Sequence, residues 1–170
     1  LQEELEAATR WPRFGPAERQ ALLDAFENAP AYDTIQDFEQ AFASYYGTQF
    51  ALAQNNGTST LHAAYFAVGV QPGDEVITSA YTWHLAVGPI LTLHAIPIFC
   101  DIDSRDGTMR PDDVERKISP HTKAICVVHP FGAVAPVDEI VEIAHRHGIA
   151  VIEDCSHAHG AELNGRKVGT

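Results

Sequence analysis

The stretch Gly148-Ile149-Ala150-Val151-Ile152-Glu153-Asp154-Cys155-Ser156-His157-Ala158-His159-Gly160 decides how the rest of the chain is read. Its apolar opening, Ile149 to Ile152, predicts a strand buried on both faces, as in a parallel sheet. Its end carries two acids, a thiol, a hydroxyl and two histidines. Open α/β sheets bind ligands outside the carboxyl ends of their strands. A strand that breaks from hydrocarbon into such chemistry is therefore a candidate site; the plain alternative is a polar surface turn. Side chains alternate along a strand, so Glu153 and Asp154 belong on opposite faces.

Working back from this stretch, Val137 to His147 reads as an amphipathic helix through Ile140, Ile143 and Ala144, closed by Gly148. Lys123 to Val128 is a buried strand ending in the loop His129-Pro130-Phe131-Gly132. Pro111 to Ile118 is a polar helix, and Ile96 to Cys100 and Glu75 to Ser79 are short strands. After the second of these, Tyr81-Thr82-Trp83-His84 leads a helix to Leu93. An aromatic pair there could wall a flat ligand, or Trp83 could be core. Phe50 to Ala53 reads as a strand, followed by Gln54-Asn55-Asn56-Gly57-Thr58-Ser59-Thr60 and a helical pattern through Leu61, Ala64, Tyr65 and Val68. A strand, a small polar turn and a helix start present backbone N–H groups and a positive dipole end, which suits an anion, phosphate above all. The alternative is an ordinary N-cap by Thr58 or Ser59. No Gly-Lys-Ser/Thr follows, so this is not a Walker loop, and no GxGxxG follows a strand, which disfavours a dinucleotide fold.

Ahead of these, Leu1 to Asn28 is helix-like, with Pro16 near a first turn and Pro30 as the stop. Ile35 to Tyr46 predicts a second helix with Phe38, Phe42 and Tyr45 on one stripe and Gly47 as its cap. Beyond the opening stretch, Ala161 to Gly169 predicts a hairpin on Asn164-Gly165. Helices alternating with short apolar strands make an α/β fold in three layers, with a mostly parallel sheet covered on both faces.

The 170 residues carry a formal net charge of −12, which argues against nucleic acid or an anionic membrane as partner. No apolar run is long enough to span a membrane, and no signal peptide is visible. Cys100, Cys126 and Cys155 sit in or beside apolar runs without CxxC spacing, so reduced thiols and a cytoplasmic setting are expected. His145-x-His147 and His157-x-His159 could seed a metal site, but spacing places no third ligand and no metal is expected. Thr170 follows the hairpin with no closing helix, which reads as an excerpt of a longer protein.

One combination is more specific. Asn56-Gly57-Thr58-Ser59-Thr60-Leu61-His62, Pro72-Gly73-Asp74-Glu75-Val76-Ile77, Tyr81-Thr82-Trp83, Thr122-Lys123-Ala124-Ile125, Val128-His129-Pro130-Phe131-Gly132 and Ile152 to Gly160 follow one another in this order. Together, from about Trp11 to Gly169, they resemble the DegT/StrS sugar aminotransferases, pyridoxal 5'-phosphate (PLP) enzymes of the aspartate-aminotransferase fold, PLP fold type I. The wording of the last motif is similar to that of glutamine-dependent scyllo-inosose and 2-deoxy-scyllo-inosose aminotransferases. The resemblance implies a truncated large domain: a helical segment over 1–48 and a cofactor-binding part over 49–170, without the small C-terminal domain. It gives Asp154 to the pyridinium nitrogen, Trp83 to the ring face, Gly57, Thr58 and Ser59 to the phosphate, and His157 to the neighbourhood of the ring oxygen. The family's Schiff-base lysine falls beyond Thr170, and none of Lys117, Lys123 and Lys167 matches it. Such a fragment is expected to bind PLP poorly and not to turn over. The implied parent is a homodimer that passes an amino group from glutamine or glutamate to a keto-cyclitol or keto-sugar. A sugar 3-dehydratase of the same superfamily, with His in place of the lysine, and a non-catalytic remnant are the alternatives.

Overall fold

The structure, a computed structural model, describes residues 14–28 and 31–170. The expected helix before Phe14, Trp11 and the Pro30 stop lie outside the described residues. The chain falls into two units, 1–53 and 54–170.

In the first unit, α1 (Pro16–Asn28) begins on proline, whose missing N–H costs nothing at a helix start. No residue of α1 is buried. Helix α2 (Ala31–Tyr46) starts ahead of the predicted Ile35. Its ring stack runs through Phe38, Phe42 and Tyr46 at centroid distances of 5.7 and 4.6 Å, one turn per step. The strand expected at Phe50 to Ala53 is not formed. A strand exists only where a neighbour completes its ladder. None of the described strands pairs with this segment, and the Ala53 N–H donates instead to Glu39 Oε1 at 2.7 Å.

The second unit holds α3 (Gly57–Ala67), β1 (Glu75–Ser79), α4 (His84–Thr92), β2 (Ile96–Cys100), α5 (Pro111–Lys117), β3 (Thr122–Val128), α6 (Val137–His147) and β4 (Ala150–Asp154). The four strands form one parallel sheet in the order β2-β1-β3-β4. A short antiparallel hairpin follows, β5 (Glu162–Leu163) and β6 (Arg166–Lys167), turning on Asn164-Gly165 as the sequence predicts. The chain steps from β1 to one neighbour, then crosses back to the other. That reversal opens a crevice between β1 and β3 at their carboxyl ends.

The sheet packs two cores. On one face Val76, Ala124, Cys126 and Val128 meet Leu61 and Tyr65 of α3 and Ala86 and Ile90 of α4. On the other, Ile77, Ile125 and Val127 meet Val114 of α5 and Val137, Ile140 and Ala144 of α6. Ile152 belongs to the first face and Val151 to the second, so Asp154 and Glu153 end on opposite sides. Strand β3 is buried from Ala124 to Val128 and β1 from Val76 to Ser79; β4, expected to be buried on both faces, is half-buried along its length. It is last in the strand order and has a partner on one side alone among the described residues.

The three cysteines are free thiols. Burial pushes the Cys126 thiol up to about 12. No helix among the described residues is long and apolar enough to cross a membrane.

Asp113 at the start of α5 is 1% exposed. Burial alone would raise its carboxyl, but the Asp101 N–H at 2.6 Å and the charges of Arg116 and Lys117 more than offset this and hold it below the usual carboxylate range. A pKa lower in the folded state gives stability that is complete above the unfolded value of about 3.9 and is lost as pH falls through the folded one. Asp113→Asn is therefore expected to cost about 1.5–3 kcal/mol at pH 7 and to flatten the acid limb below about pH 4. Thermal unfolding across pH reads both; an unchanged acid limb would remove Asp113 from the account.

Candidate active site

Three carboxyl-end loops and one helix start converge on a cavity of about 580 Å³ in the second unit. Helix α3 opens it with Gly57 and Thr58. Asn56 is the N-cap, its Oδ1 accepting the Ser59 N–H at 2.9 Å, rather than Thr58 or Ser59 as expected. The cap consumes the Ser59 amide, and Ser59 is not among the lining residues. The N–H groups of Gly57 and Thr58 head the helix, ahead of its first backbone bond, from the Thr60 N–H to the Asn56 carbonyl at 3.1 Å. A Cβ added at Gly57 would meet nothing within 4 Å.

The loop after β1 is shaped by Ser79, whose Oγ accepts the Tyr81 N–H and donates to the Tyr81 carbonyl, both at 3.1 Å. Trp83 stands at the N-cap of α4 in extended conformation and is 67% exposed, lining the cavity rather than filling the core. Asp154 enters at the end of β4, paired in register with Val128. Its Oδ1 accepts the Ser156 N–H at 3.0 Å and the Ser156 hydroxyl at 2.6 Å. His157 lies beside it, with its Nδ1 accepting the Phe131 N–H at 3.3 Å. The cavity thus combines a helix N-terminus, an indole face, a carboxylate and an imidazole. That donor set fits PLP: an anion cradle for the phosphate, a flat wall for the ring and a carboxylate for a protonated ring nitrogen.

His129, which also lines the cavity, is fully buried. Its Nδ1 accepts the Ala135 N–H at 3.0 Å, so the ring proton sits on Nε2 and is donated to Glu153 Oε2 at 3.1 Å. The same oxygen accepts the Gly169 N–H at 2.9 Å. This clasp ties the loop after β3 to the end of β4 and to the close of the hairpin. Sequence reading passed over it; the β3–β4 register, with Val127 opposite Glu153, is the signal that brings His129 within reach. Cys155 Sγ lies within 4.8 Å of the His129 and Glu153 ligand atoms, the cluster of that kind among the described residues. Neither His-x-His pair joins it. Both nitrogens of His129 are already engaged by hydrogen bonds.

The model of the DegT/DnrJ/EryC1/StrS aminotransferase family matches residues 15–170. The chain belongs to that family. It is 45% identical over 133 residues to the L-glutamine:2-deoxy-scyllo-inosose aminotransferase of Streptomyces kanamyceticus, covering 78% of this chain and 31% of that protein. The crystal structure of 3-amino-5-hydroxybenzoic acid (AHBA) synthase superposes with a TM-score of 0.90 at 35% identity, covering 94% of this chain and 43% of that one. NtdA of Bacillus subtilis, solved with bound cofactor PMP, superposes at 0.77 with 29% identity, covering 84% of this chain and 34% of that one. The chain spans less than half the length of these relatives. The α/β architecture is that of the PLP fold-type I aminotransferases, as the family resemblance implied. None of Lys117, Lys123 and Lys167 lines the cavity.

Proposed function

We propose that this chain is the cofactor-binding part of a PLP-dependent aminotransferase that passes an amino group from glutamine or glutamate to a keto-cyclitol or keto-sugar. One observation carries the reading: the α3 N-terminus, Trp83 and Asp154 line a single cavity at the strand-order reversal. Family membership and the S. kanamyceticus relative, with its glutamine donor and cyclitol acceptor, support it.

When bound, PLP supplies the electron sink that stabilises a carbanion beside the transferred nitrogen. The chain's own residues do the rest. The Gly57 and Thr58 amides bind the phosphate, helped by the helix dipole. Trp83 covers one ring face and keeps water off it. The Asp154 carboxylate, steadied by Ser156, holds a proton on the ring nitrogen. His157, with Nδ1 already accepting the Phe131 N–H, would stand near the ring oxygen of the bound cofactor. The base that moves the substrate proton is a lysine beyond Thr170, and the assembly is a cytoplasmic homodimer. Free, buried Cys100 and Cys126 suit a reducing compartment.

Borohydride reduction of the full-length protein with PLP, followed by peptide mapping, tests the reading. A pyridoxyl tag on one lysine downstream of Thr170, with amine transfer from glutamine to a keto-cyclitol, is the expected result. Retained PLP with no tagged lysine would overturn it in favour of the dehydratase.

A further inference from the structure

The turn after β3 is built around His157. Pro130 starts it, and the Ala133 N–H closes it onto the Pro130 carbonyl at 2.9 Å. Phe131 sits at φ 51, ψ 25, in the left-handed region that a phenylalanine rarely adopts. Gly132 follows at φ 87, where an added Cβ would stand 3.5 Å from the His157 carbonyl. Left-handed backbone at a bulky residue persists where the surroundings over-determine it, and such residues cluster at functional sites. Phe131 is nevertheless 77% exposed, so burial of its ring does not explain it.

What the conformation achieves is contact with one imidazole. The Phe131 N–H donates to His157 Nδ1 at 3.3 Å, and the two rings stack at 5.2 Å with 23° between their planes. On its other side Phe131 meets Tyr81 at 6.3 Å. Tyr81 in turn lies over Gly107, where an added Cβ would come within 3.2 Å of its ring. A row of contacts therefore runs from Gly107 through Tyr81 and Phe131 to His157.

We infer that Phe131 is a positioning residue that sets the tautomer and the plane of His157. With Nδ1 accepting from the backbone, the neutral ring carries its proton on Nε2. Nε2–H is then the donor left for a ligand in the cavity that His157 lines. The stacked phenyl ring holds the imidazole plane. What His157 donates to rests on the cofactor reading above; what Phe131 does to His157 does not.

The test uses the full-length protein labelled with ¹⁵N, at a pH where the imidazoles are neutral, with PLP as the probe. Imidazole spectra are compared for wild type, Phe131→Gly and Phe131→Tyr, the His157 signal being assigned with His157→Gln. Glycine adopts the left-handed turn readily and keeps the N–H, so Phe131→Gly removes the ring without collapsing the loop. In the wild type, His157 is expected to be a single Nε2–H tautomer, with a coupling across the hydrogen bond from the Phe131 amide. Phe131→Gly should keep that coupling but shift the His157 ring signals, which lose the stacked phenyl, and bind PLP about three- to tenfold more weakly; Phe131→Tyr should restore both the shifts and the affinity. A proton on Nδ1 in the wild type, or a Phe131→Gly spectrum identical to it, would overturn the role of the turn. A fixed tautomer whose signal PLP leaves unmoved would instead overturn the assignment of His157 to the cofactor.

Discussion

Asp154→Ala weakens PLP binding by about 30-fold or more, and Asp154→Asn does nearly the same while leaving the fold intact. The carboxylate is half-buried at the end of β4, between the Ser156 donors and the cavity. Removing one partner of a hydrogen-bonded charge pair costs about 2 kcal/mol at partial burial and up to about 5 kcal/mol at full burial. The lower figure corresponds to the stated 30-fold. Asparagine separates charge from shape. Its carbonyl oxygen still accepts the Ser156 N–H and hydroxyl, so the turn after β4 survives, but it cannot hold a proton on a pyridine nitrogen. Absorbance titration of PLP into the three full-length proteins, with thermal unfolding in parallel, reads the two effects apart. Equal affinities for wild type and Asp154→Asn would remove Asp154 from the ring nitrogen and with it the centre of the proposed function.

Much of this site is legible in the residues because its pieces are local. Gly148 ends α6 in the left-handed conformation at φ 67, and the apolar run after it has no structure open to it but a strand. The Asn-Gly hairpin turn and the small polar turn before α3 are likewise short-range. What escaped depends on distant partners or on near-equivalent choices. Phe50 to Ala53 has a strand's composition, yet pairing needs a neighbour that no periodicity reveals. Asn56, Thr58 and Ser59 are all good cap residues, and the apolar pattern fixes a helix start only to within a residue or two, so the cap fell on Asn56 unannounced. The His129–Glu153 clasp required the register of two strands. The left-handed Phe131 has no signature in sequence, because what stabilises it is an imidazole 26 residues away.

Tyr65→Ala is expected to destabilise the chain by about 3–5 kcal/mol, as for other large aromatic truncations in a core. Tyr65 is 0% exposed in the core between the sheet and helices α3 and α4. Its hydroxyl donates to the Ala86 carbonyl at 3.2 Å, joining the helix that begins at Gly57 to the helix that follows Trp83. Burial raises the phenol far above its usual range, so the donor proton stays in place at any pH the fold survives. Tyr65→Phe keeps the ring and loses only the hydrogen bond, at about 1 kcal/mol. The two variants divide packing from tethering. If packing dominates, Tyr65→Phe unfolds close to wild type in urea while Tyr65→Ala loses most of its stability. The tether has a separate readout, because it joins the helix of the proposed phosphate site to the helix that follows Trp83. Tyr65→Phe should therefore weaken PLP binding more than its small loss of stability would suggest. An unchanged PLP affinity would mean that the sheet alone holds the two helices in place, and a Tyr65→Phe as damaging as Tyr65→Ala would put the hydrogen bond, not the ring, at the heart of that core.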